Sequence, residues 1–266
     1  EAFPDKSWDD LWSEYSYFGG LPQTVLMNDT AQKSQYLKQL FQTTYFKDII
    51  DRYHIQQVES FGQLADFVAS SIGSLTNPHK LSNTFSSNGL KISDDTIKQY
   101  LNYLQDAFLI SEAKRYDIRG KQYIGSPYKY YFTDIGIRNA QLNFRQQEEN
   151  HIMENIIFNE LKIRGYRVDV GVVEITETNA EGKRVQKGLE IDFIATKGNN
   201  KYYIQSAFDM PDLAKEQQEK KSLIKTKDSF KKIIVVKDVV NVTRDEDGII
   251  TMSIYDFLLK ENSLEL

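Results

Sequence analysis

The stretch "EIDFIATKGNNKYYIQSAF", residues 190–208, predicts two neighbouring β-strands. Each strand carries a polar residue beside apolar ones: Asp192 in "IDF" and Gln205 in "IQS". Because successive side chains of a strand point to opposite faces, alternation places both polar side chains opposite their apolar neighbours. A carboxylate and a side-chain amide are therefore predicted on adjacent strands, with Ala207 two residues beyond the amide.

The composition is that of a folded chain with room for two domains. Its 266 residues are 40% hydrophobic and 12% aromatic, which suffices for hydrophobic cores and argues against wholesale disorder. The absence of cysteine excludes disulfides, thiolate zinc sites and cysteine nucleophiles, and the three histidines are too scattered for a histidine metal cluster. The net charge of −5 excludes a wholly basic nucleic-acid coat but allows local basic patches.

The sequence predicts neither export nor membrane insertion. It has no run of about 18 apolar residues and no signal peptide at its start, so we expect a cytoplasmic chain that does not enter a membrane. It begins at "EAFPDKSWDDLW", without methionine, and we expect it to be a fragment of a longer protein.

The first half, residues 1–145, is predicted to be mainly helical. The segment "AQKSQYLKQLFQTTYFKDIIDRYHI" carries one apolar stripe at helical spacing, and further helices are predicted over about 59–73 and after Ser93, a good N-cap residue. Two strand-like runs follow in "LISEAKRYDIRGKQYIGSPYKYYFTD". Three helices followed by a hairpin predict a winged helix, and the alternative is a small helical domain with an accessory hairpin.

The second half, residues 146–266, mixes strands and helices. The predicted order is a helix over 149–164, three strands over 166–208, a helix over 211–222, and then strand, strand and helix. This order indicates an α/β layer fold. The predicted fold class is therefore α+β, with a helical and winged-helix domain followed by an α/β domain.

Three polar side chains of the second half are predicted to form a metal site. Glu154 lies on the first helix of the second half, and Asp192 and Gln205 lie on its strands. Two carboxylates, an amide oxygen and a backbone carbonyl would form an oxygen cage suited to Mg²⁺ or Mn²⁺. Such a cage activates water and stabilises phosphate charge.

Three features together resemble the PD-(D/E)xK nuclease superfamily: Glu154 on a helix, Asp192 in the strand motif "EID", and "QSA" at 205–207 in the next strand. The resemblance implies a restriction-endonuclease-like fold whose third motif is a carboxylate, any residue, then lysine. Here Gln205 and Ala207 replace that carboxylate and lysine, and losing a positioned proton-transfer group costs about 10²- to 10⁴-fold in rate. We therefore expect a vestigial nuclease site that binds Mg²⁺ or Mn²⁺ weakly or not at all. The alternative is an active metal-dependent DNA endonuclease in which Lys220 or Lys221 replaces the missing lysine.

Over nearly all of residues 17–260 the chain resembles the C-terminal half of a bacterial and archaeal family of AAA+ superfamily ATPases. The matching segments include "YFGGLPQ", "YLKQLFQTTYFKDIIDR", "KYYFTDIGIRNA", "ENIIFNELKIRGYRV" and "EIDFIA". The resemblance implies a separate nucleotide-binding domain as partner, which would hold ATP and Mg²⁺. No G-x-x-x-x-G-K-[ST] motif occurs in these 266 residues, so we expect no ATP cofactor here.

The segment "KRYDIRGKQYIGSPYKYY" is a candidate duplex-DNA surface because cations for phosphates alternate with flat aromatic rings. The helix before it is polar rather than basic, which favours contact with the DNA backbone over base reading. The alternatives are a solvated hairpin with inward-packed tyrosines, and a module that binds a protein partner. The candidate DNA-binding cations are Lys114, Arg115, Arg119, Lys121 and Lys129.

Overall fold

The computed structural model describes residues 6–87, 89–178, 182–238 and 240–266. The chain forms two compact units. The first contains the residues up to Glu112 together with Pro127–Ile156, and the second contains Ala113–Ser126 together with Ile157–Leu266. The domain boundary between residues 145 and 146 stays a prediction.

The first unit is built mainly from helices. The segment 31–55, for which the sequence predicts one helix with an apolar stripe, forms two α-helices joined by a π-helical segment, Leu40–Phe46. Side-chain caps begin several of these helices: Ser7 forms a capping box with Asp10, and the side chains of Asp29, Ser93 and Asp134 each accept from a backbone N–H in the first turn. The helices are α1 (Trp8–Phe18), α2 (Pro22–Leu26), α3 (Thr30–Gln39), α4 (Lys47–Tyr53), α5 (Val58–Ser70), α6 (Pro78–Ser87), α7 (Asp94–Asp106) and α8 (Ile135–Gln141).

Helix α7 ends in a Schellman motif that has phenylalanine at the position usually taken by glycine. The N–H of Phe108 donates to the carbonyl of Gln105 and that of Leu109 donates to Leu104. Phe108 has a φ of 56°, and 80% of it is exposed. A bulky residue at positive φ is strained, and this one gains little from burial.

A close interlock fixes the end of α1 against the start of α8. The carboxylate of Asp134 accepts from the backbone N–H groups of Gly20 and Ile137, both at 2.9 Å. A Cβ atom at Gly19 would lie 2.3 Å from this carboxylate, and one at Gly136 would lie 2.0 Å from the carbonyl oxygen of Phe18. Glycine is therefore required at both positions by the closeness of the two backbones.

The strands form one mixed eight-stranded sheet with the order β2-β1-β3-β4-β5-β6-β8-β7. The pairs β1·β3, β5·β6 and β6·β8 are parallel, whereas β3·β4, β4·β5 and β7·β8 are antiparallel. The strands are β1 (Ile110–Asp117), β2 (Gln122–Phe132), β3 (Arg167–Thr178), β4 (Arg184–Lys197), β5 (Asn200–Ala207), β6 (Lys231–Val236), β7 (Thr243–Arg244) and β8 (Ile249–Ser253).

The remaining helices among the described residues are α9 (Glu149–Ile163), α10 (Leu213–Ile224), α11 (Ile254–Leu259) and a short 3₁₀ helix, Ser263–Glu265. In the second unit, Leu223 of α10 belongs to the same buried cluster as Ile175 and Ile234 of the sheet. Phe158 of α9 packs against Phe193 of β4, with ring centroids 6.2 Å apart. The fold is thus mixed α+β, and the described part of the chain has no helix long and apolar enough to cross a membrane.

Candidate functional site

Asp192 closes the end of the contact between β4 and β5. The two strands pair in register from Lys197 opposite Asn200 to Phe193 opposite Ile204. Beyond this point one carboxylate oxygen of Asp192, a buried residue, accepts from the backbone N–H of Ser206 at 2.8 Å. The carboxylate therefore acts as the acceptor for a strand N–H group, in place of a backbone carbonyl.

A β-bulge in β4 lies at the same place. Ile194 is opposite Asp169, but Ile191 is opposite Gly171, so β4 has one residue more than β3 across this interval. Ile191 and Ile194 consequently lie in the same hydrophobic cluster, which strict alternation would forbid. The bulge interrupts the alternation that the sequence predicts around Asp192, and bulges commonly re-aim side chains beside functional sites.

The next strand carries the residues that depart from the nuclease pattern. The side-chain oxygen of Gln205 is buried and has no hydrogen-bond partner within the described ranges. Leaving such an acceptor unpaired typically costs about 1–3 kcal/mol. Ala207 is buried in the hydrophobic cluster with Leu223 and Ile234, so the backbone at this position directs a side chain into apolar surroundings.

The two lysines predicted to replace the missing cation are bound to other partners. Lys220 pairs with Glu216 and, at 2.8 Å, with Asp245. Lys221 pairs with Glu177 at 2.7 Å. Both ammonium groups are thus held by carboxylates other than Asp192.

Lys215, in the first turn of α10, is the lysine that the sequence analysis missed. Its ammonium lies 2.6 Å from the carboxylate of Glu219. The hydrogen bond to Glu219 is the largest cause of its raised pKa, and the negative charges of Asp209 and Asp192 contribute. Its place in the helix that follows the Gln205 strand was the available signal, but several lysines share that helix.

Glu154 belongs to the first unit, whereas Asp192 and Gln205 belong to the second. Its carboxylate accepts from Lys129 at 2.9 Å and from the Tyr131 hydroxyl at 2.6 Å, and His151 lies 3.9 Å away. Burial acts to raise the pKa of Glu154, but the charge of Lys129, the proximity of His151 and the hydrogen bonds from Tyr131 and Lys129 lower it overall. Among the described residues, no three acidic, histidine or cysteine side chains are grouped so as to hold a metal ion.

The predicted DNA-binding cations of the hairpin have different surroundings. Lys129 is buried in its ion pair with Glu154, and the Nε atom of Arg115 is buried without a hydrogen-bond partner in the described structure. Arg119 is exposed, but its guanidinium donates to two backbone carbonyls. Lys114 and Lys121 are exposed.

An aromatic and basic cluster lies at the hairpin tip in the second unit. Tyr123 donates to the carboxylate of Asp169 at 3.0 Å, and its ring is 5.1 Å from the guanidinium of Arg167. Tyr116 meets the same ring edge-on at 5.2 Å. Burial is the main cause of the raised pKa of Asp169, while its hydrogen bond with Tyr123 and the charge of Arg167 oppose the rise.

Residues 9–148 match the family model described as "Domain of unknown function (DUF8612)". The chain belongs to this DUF8612 family. An uncharacterized protein of Haemophilus influenzae is 36% identical over 252 residues, which are 95% of this chain and 58% of that protein. The uncharacterized protein MJ1544 of Methanocaldococcus jannaschii is 27% identical over 206 residues, which are 77% of this chain and 44% of that protein. The DUF8612 chain thus spans about half the length of these relatives.

A solved structure also aligns with the chain. The crystal structure of protein VC1899 from Vibrio cholerae covers 90% of the DUF8612 chain, and the alignment covers 57% of that protein. The TM-score is 0.32 and the identity 14%, a likeness too low to support an argument about fold or function.

Proposed function

We propose that this chain is the nucleic-acid-binding region of a longer AAA+-type ATPase, with a winged helix in its first part and a nuclease-like second unit that does not cut. The relatives from Haemophilus influenzae and Methanocaldococcus jannaschii are both longer than the matched region, which leaves room for a further domain. Because no P-loop motif occurs in this chain, the ATPase activity would belong to such a domain.

The observation that carries the non-cutting assignment is the environment of residue 207. Asp192 and Gln205 lie where the pairing of β4 with β5 ends, the position at which a nuclease of the resembled superfamily would hold its metal. The side chain at 207, where that enzyme needs lysine, belongs to a closed hydrophobic cluster. Asp192 keeps a backbone amide in place, which gives the carboxylate a structural role without metal or water activation.

Support for nucleic-acid binding comes from the charge and chemistry of the second unit. Its lysines and arginines slightly outnumber its acidic residues, although the whole chain is net −5. The hairpin tip joins Tyr123 to Arg167, and Lys114 and Lys121 are exposed on the same hairpin. Rings with adjacent cations suit stacking and phosphate contact.

The direct test measures binding and cleavage on the same labelled duplex. We expect binding that weakens steeply with salt, because phosphate contacts release counterions. We also expect no product over a long time course with Mg²⁺ or Mn²⁺. The proposal is wrong in its first part if the chain does not bind duplex at low salt, and in its second part if it cuts.

An active endonuclease is the second candidate, and Lys215 is the observation that favours it. Lys215 pairs with Glu219 at 2.6 Å, which is the main cause of its raised pKa, and the negative charges of Asp209 and Asp192 add smaller contributions. In this alternative, Lys215 would serve in place of a lysine at 207. Cleavage with Mn²⁺ that is lost in Lys215→Ala and retained in Lys220→Ala would establish it.

A further inference from the structure

Arg119 connects three elements of the second unit. Its Nη1 donates to the carbonyl of Glu174 in β3 at 2.8 Å, and its Nη2 donates to the carbonyl of Lys225 at the end of α10 at 2.7 Å. Its own backbone N–H donates to Asp117 within the hairpin. Because both guanidinium acceptors are uncharged carbonyls, these two bonds position the guanidinium without neutralising it.

The same contact region gathers lysines around one carboxylate. Glu177 of β3 accepts from Lys221 at 2.7 Å, and Lys187 of β4 lies 3.5 Å from its other oxygen. The hydrogen bond from Lys221 is the main cause of the lowered pKa of Glu177, and Lys187 adds to it. One negative charge is therefore shared by two ammonium groups, both of which belong to exposed residues.

We infer that Arg119, Lys187, Lys221 and Lys225, named here the α10 basic patch, form the surface that contacts the phosphate backbone of duplex nucleic acid. This inference rests on the proposed function and assigns its phosphate contacts. Among the described residues, Glu177 pairs with Lys187 and Lys221, whereas Glu216 and Asp247 line the same pocket as Lys221 and Lys225. The bonds of the Arg119 guanidinium to two carbonyls leave its charge uncompensated.

The spacing of the patch favours a ligand with closely repeated charge. Lys221 and Lys225 are four residues apart at the end of α10, which places them about 6 Å apart along the helix axis and on one face. Duplex DNA carries one negative charge per about 1.7 Å of its axis, so one duplex reaches several of these cations at once. The charges of an extended peptide are at most one per residue, or about 3.3–3.6 Å, and alternate in direction.

The main test neutralises the lysines of the patch in the full 266-residue chain. The variant Lys187→Gln, Lys221→Gln, Lys225→Gln should weaken binding of a labelled random duplex by about tenfold or more near physiological salt. It should also reduce the slope of log K against log salt by about two to three units, because each phosphate contact contributes about 0.9. A matched control changes three other lysines to glutamine: Lys162 of α9, Lys197 at the end of β4, and Lys260 directly after α11.

A second test increases the net positive charge of the α10 basic patch. Glu177→Gln removes the carboxylate shared by Lys187 and Lys221, and duplex binding should tighten about threefold or more. A purely structural role of these residues would not produce tighter binding.

The outcomes separate the inference from the proposed function. If the parent chain does not bind duplex, the proposed function fails. If the parent binds and the patch variant and the control variant bind equally well, the α10 basic patch is wrong while the function stands. Binding of poly-glutamate in preference to duplex would overturn the assigned ligand.

Discussion

Removing the ammonium of Lys129 should destabilise the first unit strongly. The side chains of Lys129 and Glu154 are only 4% and 11% exposed, and the ammonium and carboxylate are 2.9 Å apart. Breaking a buried pair by removing one partner costs about 3–5 kcal/mol, because the other charge stays buried. Tyr131 still donates to Glu154, so we expect Lys129→Met to lower the free energy of unfolding by about 3 kcal/mol, near the lower end of that range.

Tryptophan fluorescence during urea unfolding measures this loss in the correct unit, because both tryptophans, Trp8 and Trp12, lie in α1. The double variant Lys129→Met, Glu154→Gln removes the orphaned charge and keeps an acceptor for Tyr131. It should recover at least about half of the lost stability. A single variant within about 1 kcal/mol of the parent, or a double variant less stable than the single one, would refute a buried ion pair.

The pH dependence of the same variants gives an independent check. Because the folded pKa of Glu154 is lowered, its contribution is present above the unfolded value of about 4.3 and is lost as pH falls through the folded pKa. The parent should therefore lose more stability on acidification than Glu154→Gln does.

Three further predictions concern other groups. His151 should titrate above its usual pKa of about 6.5, chiefly because of the Glu154 carboxylate 3.9 Å away, so its stabilising effect is present below that pH and fades as pH rises through the folded pKa. Histidine NMR on the parent and on Glu154→Gln tests this, and an unchanged pKa would contradict it. Phe108→Gly should raise the stability of the first unit by about 1 kcal/mol, since glycine suits the positive φ of a Schellman motif; urea unfolding that shows a loss would contradict the strain. Millimolar MgATP should not shift the melting temperature of this chain, since a ligand stabilises only a state that binds it, and a shift of several degrees would overturn that expectation.

Local signals were sufficient to predict most of the helices and strands. The Ser93 cap and the acidic first turn behind it mark α7, and the alternating runs around Asp192 and Gln205 mark β4 and β5. These signals depend on residues within a few positions of one another, so they can be found in one sequence.

The surroundings of the candidate residues depend on distant contacts, which a single sequence does not display. Lys129 lies in "YKYYF", where four successive residues of β2 are buried, so the strand offers no alternation to show which way the lysine points. Its partner is 25 residues away. The bulge at Asp192 likewise depends on the register between β3 and β4. Nothing in the sequence distinguishes Lys215 from the other lysines of α10, because its interaction with Asp192 depends on the folded structure.

The interlock of Gly20 with Asp134 has a consequence for synthesis on the ribosome. The two residues are 114 positions apart, and α1 leaves the ribosome long before its acceptor exists. At about 5–20 residues per second, the interval is on the order of 10 seconds. During that time α1, whose side chains Trp12 and Phe18 are buried in the folded protein, lacks the α8 backbone that approaches it at Gly136. Helix α1 is therefore made well before the partner that fixes its C-terminal end, so this contact cannot form until α8 has been synthesised.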